Sequence, residues 1–493
     1  MDNLQSLKLF IPELIIVGTV LLGIITDLFY RREQSYRVAY WIMGGLTVAA
    51  LALLLTPASE AITLFLGTIV LDPFARMFKF LFLLATVVVI LMSLKTDELK
   101  VVRTGEYYLL IAALTLGMFL MASSVDLIMI YLSIEVVSIV SFILAGYLKT
   151  RVRSTEASLK YVIYGAFSSG IMLYGFSLLF GLTGTTKLFE IREGMATLQG
   201  GGTLTLTVAT IMIMAGFGYK ISVVPFHFWT PDVYEGAPTP ITAYLSVGPK
   251  AAGFALLIRV FNIVFSGTDA LLASFWQVLE GLPWQEVMAI LAAITMTLGN
   301  VIAIQQSNVK RLLAYSSIAH AGYILMGIPV LSLGGIYASM FYVVVYLFMQ
   351  LGAFFVVITI QNKYNTEEID EYGGLGFKAP YLGVTMAIFL FSLTGLPPTA
   401  GFIGKFYLFS AVIEARMYWL AIVAALNSVI SLYYYMRIVK MMYLQGEREA
   451  ELYLPPRFQT TLLAILAVPT VVFGIYWAPI ADWIRNSLVF FLP

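Results

Sequence analysis

The chain has 493 residues, 60% of them hydrophobic and only 12% charged, about half the charged share of a soluble globular protein. With a mean hydropathy of +0.90 it reads as a membrane protein. The near-balance of 29 basic and 28 acidic side chains gives nucleic acid nothing to bind. The absence of cysteine excludes disulfides, thiol chemistry and iron–sulfur ligation by this chain, and two histidines, His227 and His320, are too few for a histidine-rich metal site.

The N-terminal MDNLQSLK is not the basic lead of a secretory signal, and the apolar run behind it is too long for one. It is read as the first membrane helix, kept in the mature protein. Runs of about 20 apolar residues then recur along the chain. They predict spans at 8–29, 38–56, 74–94, 107–123, 125–148, 161–182, 206–226, 238–262, 286–304, 313–333, 336–360, 381–410, 417–441 and 461–483. Strands of a membrane barrel would be half as long and alternate in polarity. The expected fold is therefore an all-α polytopic membrane protein with about fourteen transmembrane helices. The loops at 186–203 and 263–285 are too short to fold as soluble domains. Neither GxGxxG before a strand nor GxxxxGK[ST] occurs, so no phosphate cradle and no cofactor chemistry are expected on this chain.

Loop charge sets the direction. With the N-terminus outside, the inner loops hold 18 of the 29 basic residues, including Arg31, Arg32, Lys95, Lys100, Arg151, Lys310, Arg311 and Arg448. The outer parts hold six: Lys8, Lys187, Arg192, Arg259, Arg416 and Arg485. Both termini are expected outside. The inner loop 230–237, with two acids and no base, runs against the trend.

Five basic residues lie in or near spans. Arg76 and Lys79 sit close to a predicted helix end and are expected to snorkel. Lys220 in IMIMAGFGYKISVV, Lys250 in AYLSVGPKAAGFALL and Lys405 in TAGFIGKFYLFSA are too deep for that, as is the carboxylate Glu135 in IMIYLSIEVVSIV. Each costs roughly 2.5–3.5 kcal/mol to insert at a helix centre, so an internal ion path is the expected reason for keeping them. Glu135 and Lys220 are 85 residues apart, and so are His320 and Lys405, with the pairs offset by 185. They fall on spans five and seven, then ten and twelve. This spacing predicts two five-helix repeats, helices 4–8 and 9–13, inverted because five is odd. The chain divides accordingly into an N-terminal three-helix segment (1–105), a first repeat (106–262), a second repeat (286–441) and a C-terminal helix (455–493).

Helix breaks are expected in span seven at Pro225 and in span twelve at Pro397 and Pro398, at matching places in the two repeats. A proline removes a backbone donor, and irregular backbone at that depth survives only against protein or a wet cavity. The expected proton path runs from Lys220 to Lys250, His320 and Lys405, modulated by Glu135. Tyr219, Ser222, Ser246 and Tyr323 are accessory polar groups, and Ser133, Ser138, Thr242, Tyr315, Ser316 and Ser317 are further neighbours. Asp232 and Glu235, in DVYEGAP, read equally as a proton entry or as turn and capping residues. Asp126 reads as a helix cap. The energy must come from a partner chain or a second ion gradient.

Two segments carry a family resemblance: KISVVPFHFWTPDVYEGAPTPITA (220–243) and SLTGLPPTAGFIGKFYLF (392–409). The chain closely resembles the antiporter-like subunit N family of the proton-pumping NADH:quinone oxidoreductase, respiratory complex I. The resemblance implies that Glu135 and Lys220 form the family's glutamate–lysine pair, that Lys250 is the bridging lysine, Lys405 the terminal lysine and His320 the polar position on helix ten. It implies a non-redox subunit in a bacterial inner (plasma) membrane, with both termini periplasmic. Its partners in the bilayer would be other membrane subunits, including sister antiporter-like ones. Quinone, NADH, FMN and the iron–sulfur clusters would lie in partner subunits. A subunit of a ferredoxin-driven photosynthetic complex, a Na⁺/H⁺ exchanger subunit without a redox partner, and a scaffold with purely structural charges stay open as alternatives.

Overall fold

In lipid, a backbone has only its own hydrogen bonds to satisfy it, and the chain is helical almost throughout. A computed structural model describes residues 3–56, 61–196, 202–265, 284–446 and 452–488. Arg448, and all of the expected 263–285 connection but its ends, lie outside the described residues. In chain order the elements are α1 (Asn3–Leu9), α2 (Ile11–Phe29), α3 (Val38–Leu55), β1 (Ile62–Leu64), β2 (Ile69–Leu71), α4 (Pro73–Ser93), α5 (Gly105–Ser123), α6 (Leu127–Ala145), α7 (Val152–Thr183), α8 (Leu188–Ala196), α9 (Thr203–Ile221), α10 (Trp229–Gly236) and α11 (Thr239–Val264). There follow α12 (Trp284–Ala303), α13 (Val309–Leu325), α14 (Leu333–Tyr364), α15 (Leu375–Lys378), α16 (Pro380–Thr394), α17 (Ala400–Glu414), α18 (Tyr418–Leu444), α19 (Arg457–Ile475) and α20 (Ala478–Ser487).

Twelve of these helices are long and apolar enough to cross a membrane. The tenth expected span is the 17-residue α13, and the twelfth is divided between α16 and α17, of 15 residues each. The short antiparallel hairpin of β1 and β2 was not expected. Asp126 caps α6 as read from sequence, its Oδ1 accepting from the N–H groups of Ile128 (2.9 Å) and Met129 (3.3 Å).

The bundle is organised around α11 and α14, which pack on each other. Every residue of α11 is buried, and α14 is buried over nearly its whole apolar length. Helices that are apolar all round belong inside a bundle. The flanking helices instead show apolar side chains to lipid, such as Leu54 on α3, Ile163 on α7 and Val429 on α18.

Two charges stand elsewhere than expected. Arg259, counted among the outer-side bases, is fully buried on α11 and grips Asp72 with both terminal nitrogens, Nη1 to Oδ2 at 2.8 Å and Nη2 to Oδ1 at 3.1 Å. Its Nε donates to the carbonyl of Ala122 (3.0 Å). Lys79 does not snorkel: it is 3% exposed and its Nζ lies 2.6 Å from Oε1 of Glu13, which is 2% exposed. Both corrections have one cause. A buried partner far away in sequence holds the charge inside, where a loop-by-loop reading sends it to the surface.

Candidate functional site

Helix α9 ends one residue after Lys220. Ser222 turns the chain into the left-handed region (φ 63°), and residues 222–228 are not α-helical before α10 begins. Pro225 supplies no donor here, and neighbours meet the freed backbone. The N–H of Val224 donates to Thr295 Oγ1 of α12 (3.1 Å), and Trp229 Nε1 donates to the carbonyl of Tyr219 (3.1 Å). Lys220 is buried, and its Nζ donates to Ser138 Oγ of α6 (3.1 Å). Glu135 stands one turn before Ser138 on the same face. It is only half-buried, its buried Oε1 has no hydrogen-bond partner among the described residues, and Lys220 is not ion-paired with it. The stem of Lys220 lies against Gly253 of α11, where a Cβ would sit 2.7 Å from Ile221 and 3.4 Å from Lys220 Cγ. Glycine at this position lets α9 approach α11 one turn from Lys250.

Lys250 is buried and donates to the carbonyl of Ser317 (3.1 Å) and to its hydroxyl. The ring of Tyr234 lies 5.7 Å from its ammonium. Beside it is a cavity of about 10 Å³ lined by Lys250, Ser317 and Tyr346 among others, close to the lower limit for one water.

Helix α13 then carries a polar line. Ser316, Ser317, His320 and Tyr323 fall on one face by helical spacing, all buried. Ser316 shares a hydrogen bond with the Tyr435 hydroxyl of α18. That hydroxyl lies 3.1 Å from His320 Nε2, and His320 Nδ1 lies 2.8 Å from the hydroxyl of Tyr342 on α14. Tyr323 presents its ring to Lys405, whose Nζ is 4.4 Å from the ring centre. Lys405 is buried and donates to the carbonyl of Thr394 (2.8 Å), the last residue of α16, and to Ser428 Oγ (3.0 Å). Lys220 sits in the last turn of α9 but sends its ammonium to α6, whereas the Lys405 ammonium meets the C-terminal end of α16, where the backbone dipole favours a cation.

The breaks do not occupy matching positions. Lys220 precedes its interruption, whereas Lys405 follows the one at 395–399, which contains Pro397 and Pro398. A shift of 185 residues carries Pro225 onto Ser410, inside α17. What the two lysines share is a nearby helix end, Lys220 within the last turn of α9 and Lys405 against the last residue of α16, which proline spacing does not reveal.

Of the accessory groups, Tyr323 and the neighbours Ser138 and Ser317 touch the buried lysines, while Ser316 bonds to Tyr435. Tyr219 spends its hydroxyl on the carbonyl of Tyr161 (3.1 Å) and Ser246 on that of Ala243 (2.7 Å), while Ser222 Oγ is buried with no partner among the described residues. Asp232 and Glu235 are held in ion pairs: Asp232 with Lys160 (2.6 Å) and Arg311 (2.7 Å), Glu235 with Arg311 (2.9 Å) and Arg153 (3.4 Å). Tyr435, Tyr342 and Ser428 escaped the sequence reading. Tyr435 was reachable, because it is the residue 185 places after Lys250.

A second charged cluster lies near the ends of α7, α10, α13 and α14. Lys310, counted as an inner-loop charge, is buried and donates to the carbonyl of Ala237 (2.9 Å), with Glu367 at 3.5 Å. Glu98 accepts from the N–H of Thr239 (2.8 Å), from Arg151 (3.0 Å) and from Gln361 (3.2 Å). Burial pushes the Glu98 carboxyl up, but Lys310, the Thr239 N–H and Arg151 outweigh it and hold it below the usual range. A depressed folded pKa means stabilisation that is complete above the unfolded value and lost as pH falls through the folded one. Thermal unfolding of the solubilised protein should therefore be flat in pH down to about 4.3, the ordinary Glu value, and drop below it. Glu98→Gln should lower the midpoint at neutral pH and make the acid-side drop shallower.

The transmembrane family described as NADH:quinone oxidoreductase/Mrp antiporter matches residues 124–431. NADH-quinone oxidoreductase subunit N of Anaeromyxobacter sp. is 47% identical, over 99% of this chain and 98% of its own. NAD(P)H-quinone oxidoreductase subunit 2 of Gloeobacter violaceus is 40% identical, over 97% of this chain and 91% of its own. Among solved structures, a chain of respiratory complex I from Thermus thermophilus is 28% identical with a TM-score of 0.78, covering 97% of this chain and 100% of that one. A chain of the Mrp complex from Dietzia sp. shares the fold, with a TM-score of 0.82 at 20% identity over 98% of both chains.

Proposed function

The chain belongs to the NADH:quinone oxidoreductase/Mrp antiporter family of transmembrane subunits, and from that premise we propose that it is the proton-translocating subunit N of a redox-driven quinone oxidoreductase. The observation that carries this reading is the polar face of α13, which links Lys250 at Ser317 to Lys405 at Tyr323 through His320 and Tyr435. Packing alone gives no reason to line up four buried polar side chains between two buried ammonium groups.

In this reading the twelve long helices, α13 and the α16–α17 pair make fourteen spans, with both termini on the periplasmic side of a bacterial inner membrane. Segment 1–105, the repeats 106–262 and 286–441, and the closing helix 455–493 are its parts. The contacts support an inverted repeat. Lys220 touches Ser138, three residues after Glu135, and Lys405 lies over Tyr323, three residues after His320. The same shift takes Lys250 to Tyr435, and both of these bond to α13.

Lys220 holds a proton at Nζ against Ser138, and movement or protonation of Glu135 changes how firmly it is held. Transfer to Lys250 crosses one turn of α11 through water. Ser317, Ser316, Tyr435 and His320 then pass it on by hydroxyl and imidazole exchange, for which histidine is suited, and Lys405 receives it at the end of α16. Moving a charge through the field takes about 2.3 kcal/mol per 100 mV. Quinone chemistry in partner subunits, with their NADH, FMN and iron–sulfur clusters, supplies it. Asp232 and Glu235 act as braces between α7, α10 and α13.

Tyr435→Phe tests the line while preserving the ring. In vesicles carrying the assembled complex, proton pumping should fall several-fold with the subunit still present in normal amount. Unchanged pumping would refute the α13 line. Pumping that vanishes when sodium is replaced by choline would favour the exchanger reading.

A further inference from the structure

At the end of the bundle where the α2–α3 and α4–α5 turns meet lies a cavity of about 310 Å³. It shares no lining residue with the lysine line, and nothing in the proposed function uses it. Arg32, Lys95 and Lys100 line it, against one acid, Glu33. Lys100 is committed to Asp97 at 2.7 Å. Arg32 and Lys95 have no carboxylate partner among the described residues: Arg32 donates from Nη2 to the carbonyl of Val101 (2.5 Å), and Lys95 lies over the ring of Phe458 at 4.9 Å. A guanidinium has five donors, so most of Arg32 remains to be used.

A second observation is independent of charge. Thr96 also lines the cavity, and its hydroxyl is buried with no hydrogen-bond partner among the described residues. A buried hydroxyl left unpaired is unfavourable, which favours its turning toward a ligand atom in the cavity. Two cations without a carboxylate partner and an unpaired hydroxyl around one cavity describe a receptor for a phosphate oxyanion.

The surroundings identify the source of the phosphate. The cavity lies at the ends of apolar helices, and Tyr40 on its rim, 57% exposed, and the adjacent Trp41, 45% exposed, form an aromatic edge of the kind found at a membrane interface. We infer that this cavity binds the headgroup of an anionic phospholipid, with Arg32 and Lys95 on the phosphate, Thr96 donating to it, and the acyl chains descending past Tyr40. Basic pockets between helix ends are suited to such headgroups.

The test uses the whole assembled complex, stripped of lipid in detergent and returned to nanodiscs of phosphatidylglycerol or phosphatidylcholine. Native mass spectrometry counts the retained lipid. Wild type should hold phosphatidylglycerol in preference to phosphatidylcholine. Arg32→Gln with Lys95→Gln should weaken that retention on the order of thirtyfold, from about fivefold per cation. Thr96→Val, which changes no charge, should weaken it by a smaller factor, so the proposal does not hang on a doubly altered surface. Equal retention of the two lipids, or of phosphatidylglycerol by wild type and both variants, overturns the proposal. So does displacement by millimolar inorganic phosphate, which would make the site one for a soluble anion. Proton pumping plays no part in the readout, so failure here leaves the α13 line standing, and failure there leaves this site standing.

Discussion

Replacing Lys220 by alanine should sharply reduce proton pumping by vesicles that carry the assembled complex, with quinone reduction falling as far as the two are coupled. The expected loss of pumping is at least about tenfold, equivalent to a barrier raised by about 1.4 kcal/mol or more. Lys220 is the only titratable group at the end of α9 that touches Ser138 among the described residues. In the proposed path, the loss of its ammonium leaves the proton without a holding point between Glu135 and Lys250. Alanine also removes the stem that packs on Gly253 of α11, so lost packing must be separated from lost chemistry. Lys220→Met fills the same space without the charge. It should match alanine in pumping while keeping more of the subunit in the membrane. Full pumping by the methionine variant would show that Lys220 is only a packing residue.

What could be read in advance follows a physical division. Periodicity and run length are local properties, so the apolar helices themselves are legible, while several of their ends differ by eight or nine residues, as at the start of α7 and the ends of α13 and α19. The buried lysines were legible because their insertion cost is a property of one residue in one span. Pairings across the bundle were not. Lys79 reads as a snorkelling side chain because its partner Glu13 lies 66 residues earlier, and Arg259 as an outer-side base because Asp72 lies 187 residues away. Lys310 looked like an inner-loop charge, although the end of α10 and Glu367 hold it inside. The line on α13 was half legible. Its own residues could be named, but Tyr342, Tyr435 and Ser428 come from α14 and α18, and no local pattern marks them apart from other tyrosines and serines. The 185-residue offset also joins Lys250 to Tyr435, and both of these bond to α13.

Arg259→Met should be among the most damaging single changes to the stability of this subunit, and the reason is the carboxylate it leaves behind. Asp72 and Arg259 are both fully buried, with two hydrogen bonds between them. Removing one member of a buried pair costs about 3–5 kcal/mol because the other charge stays inside without compensation. That is a large part of the roughly 5–15 kcal/mol that holds a folded domain together. The loss should appear as less subunit in the membrane and a lower unfolding midpoint of the solubilised complex. The double variant separates charge from packing. Asp72 also caps α4, accepting from the N–H of Ala75 at 2.6 Å, and asparagine is an equally good cap. Arg259→Met with Asp72→Asn therefore keeps the cap and removes both charges. It should recover most of the lost stability, short of about 1 kcal/mol for the bond from Arg259 Nε to the Ala122 carbonyl. A double variant no more stable than Arg259→Met alone would mean that the guanidinium acts through its packing on Phe74 and its hold on α5, and that the ion pair contributes little. Because neither residue lies on the line from Lys220 to Lys405, pumping per assembled complex should be close to normal in the double variant.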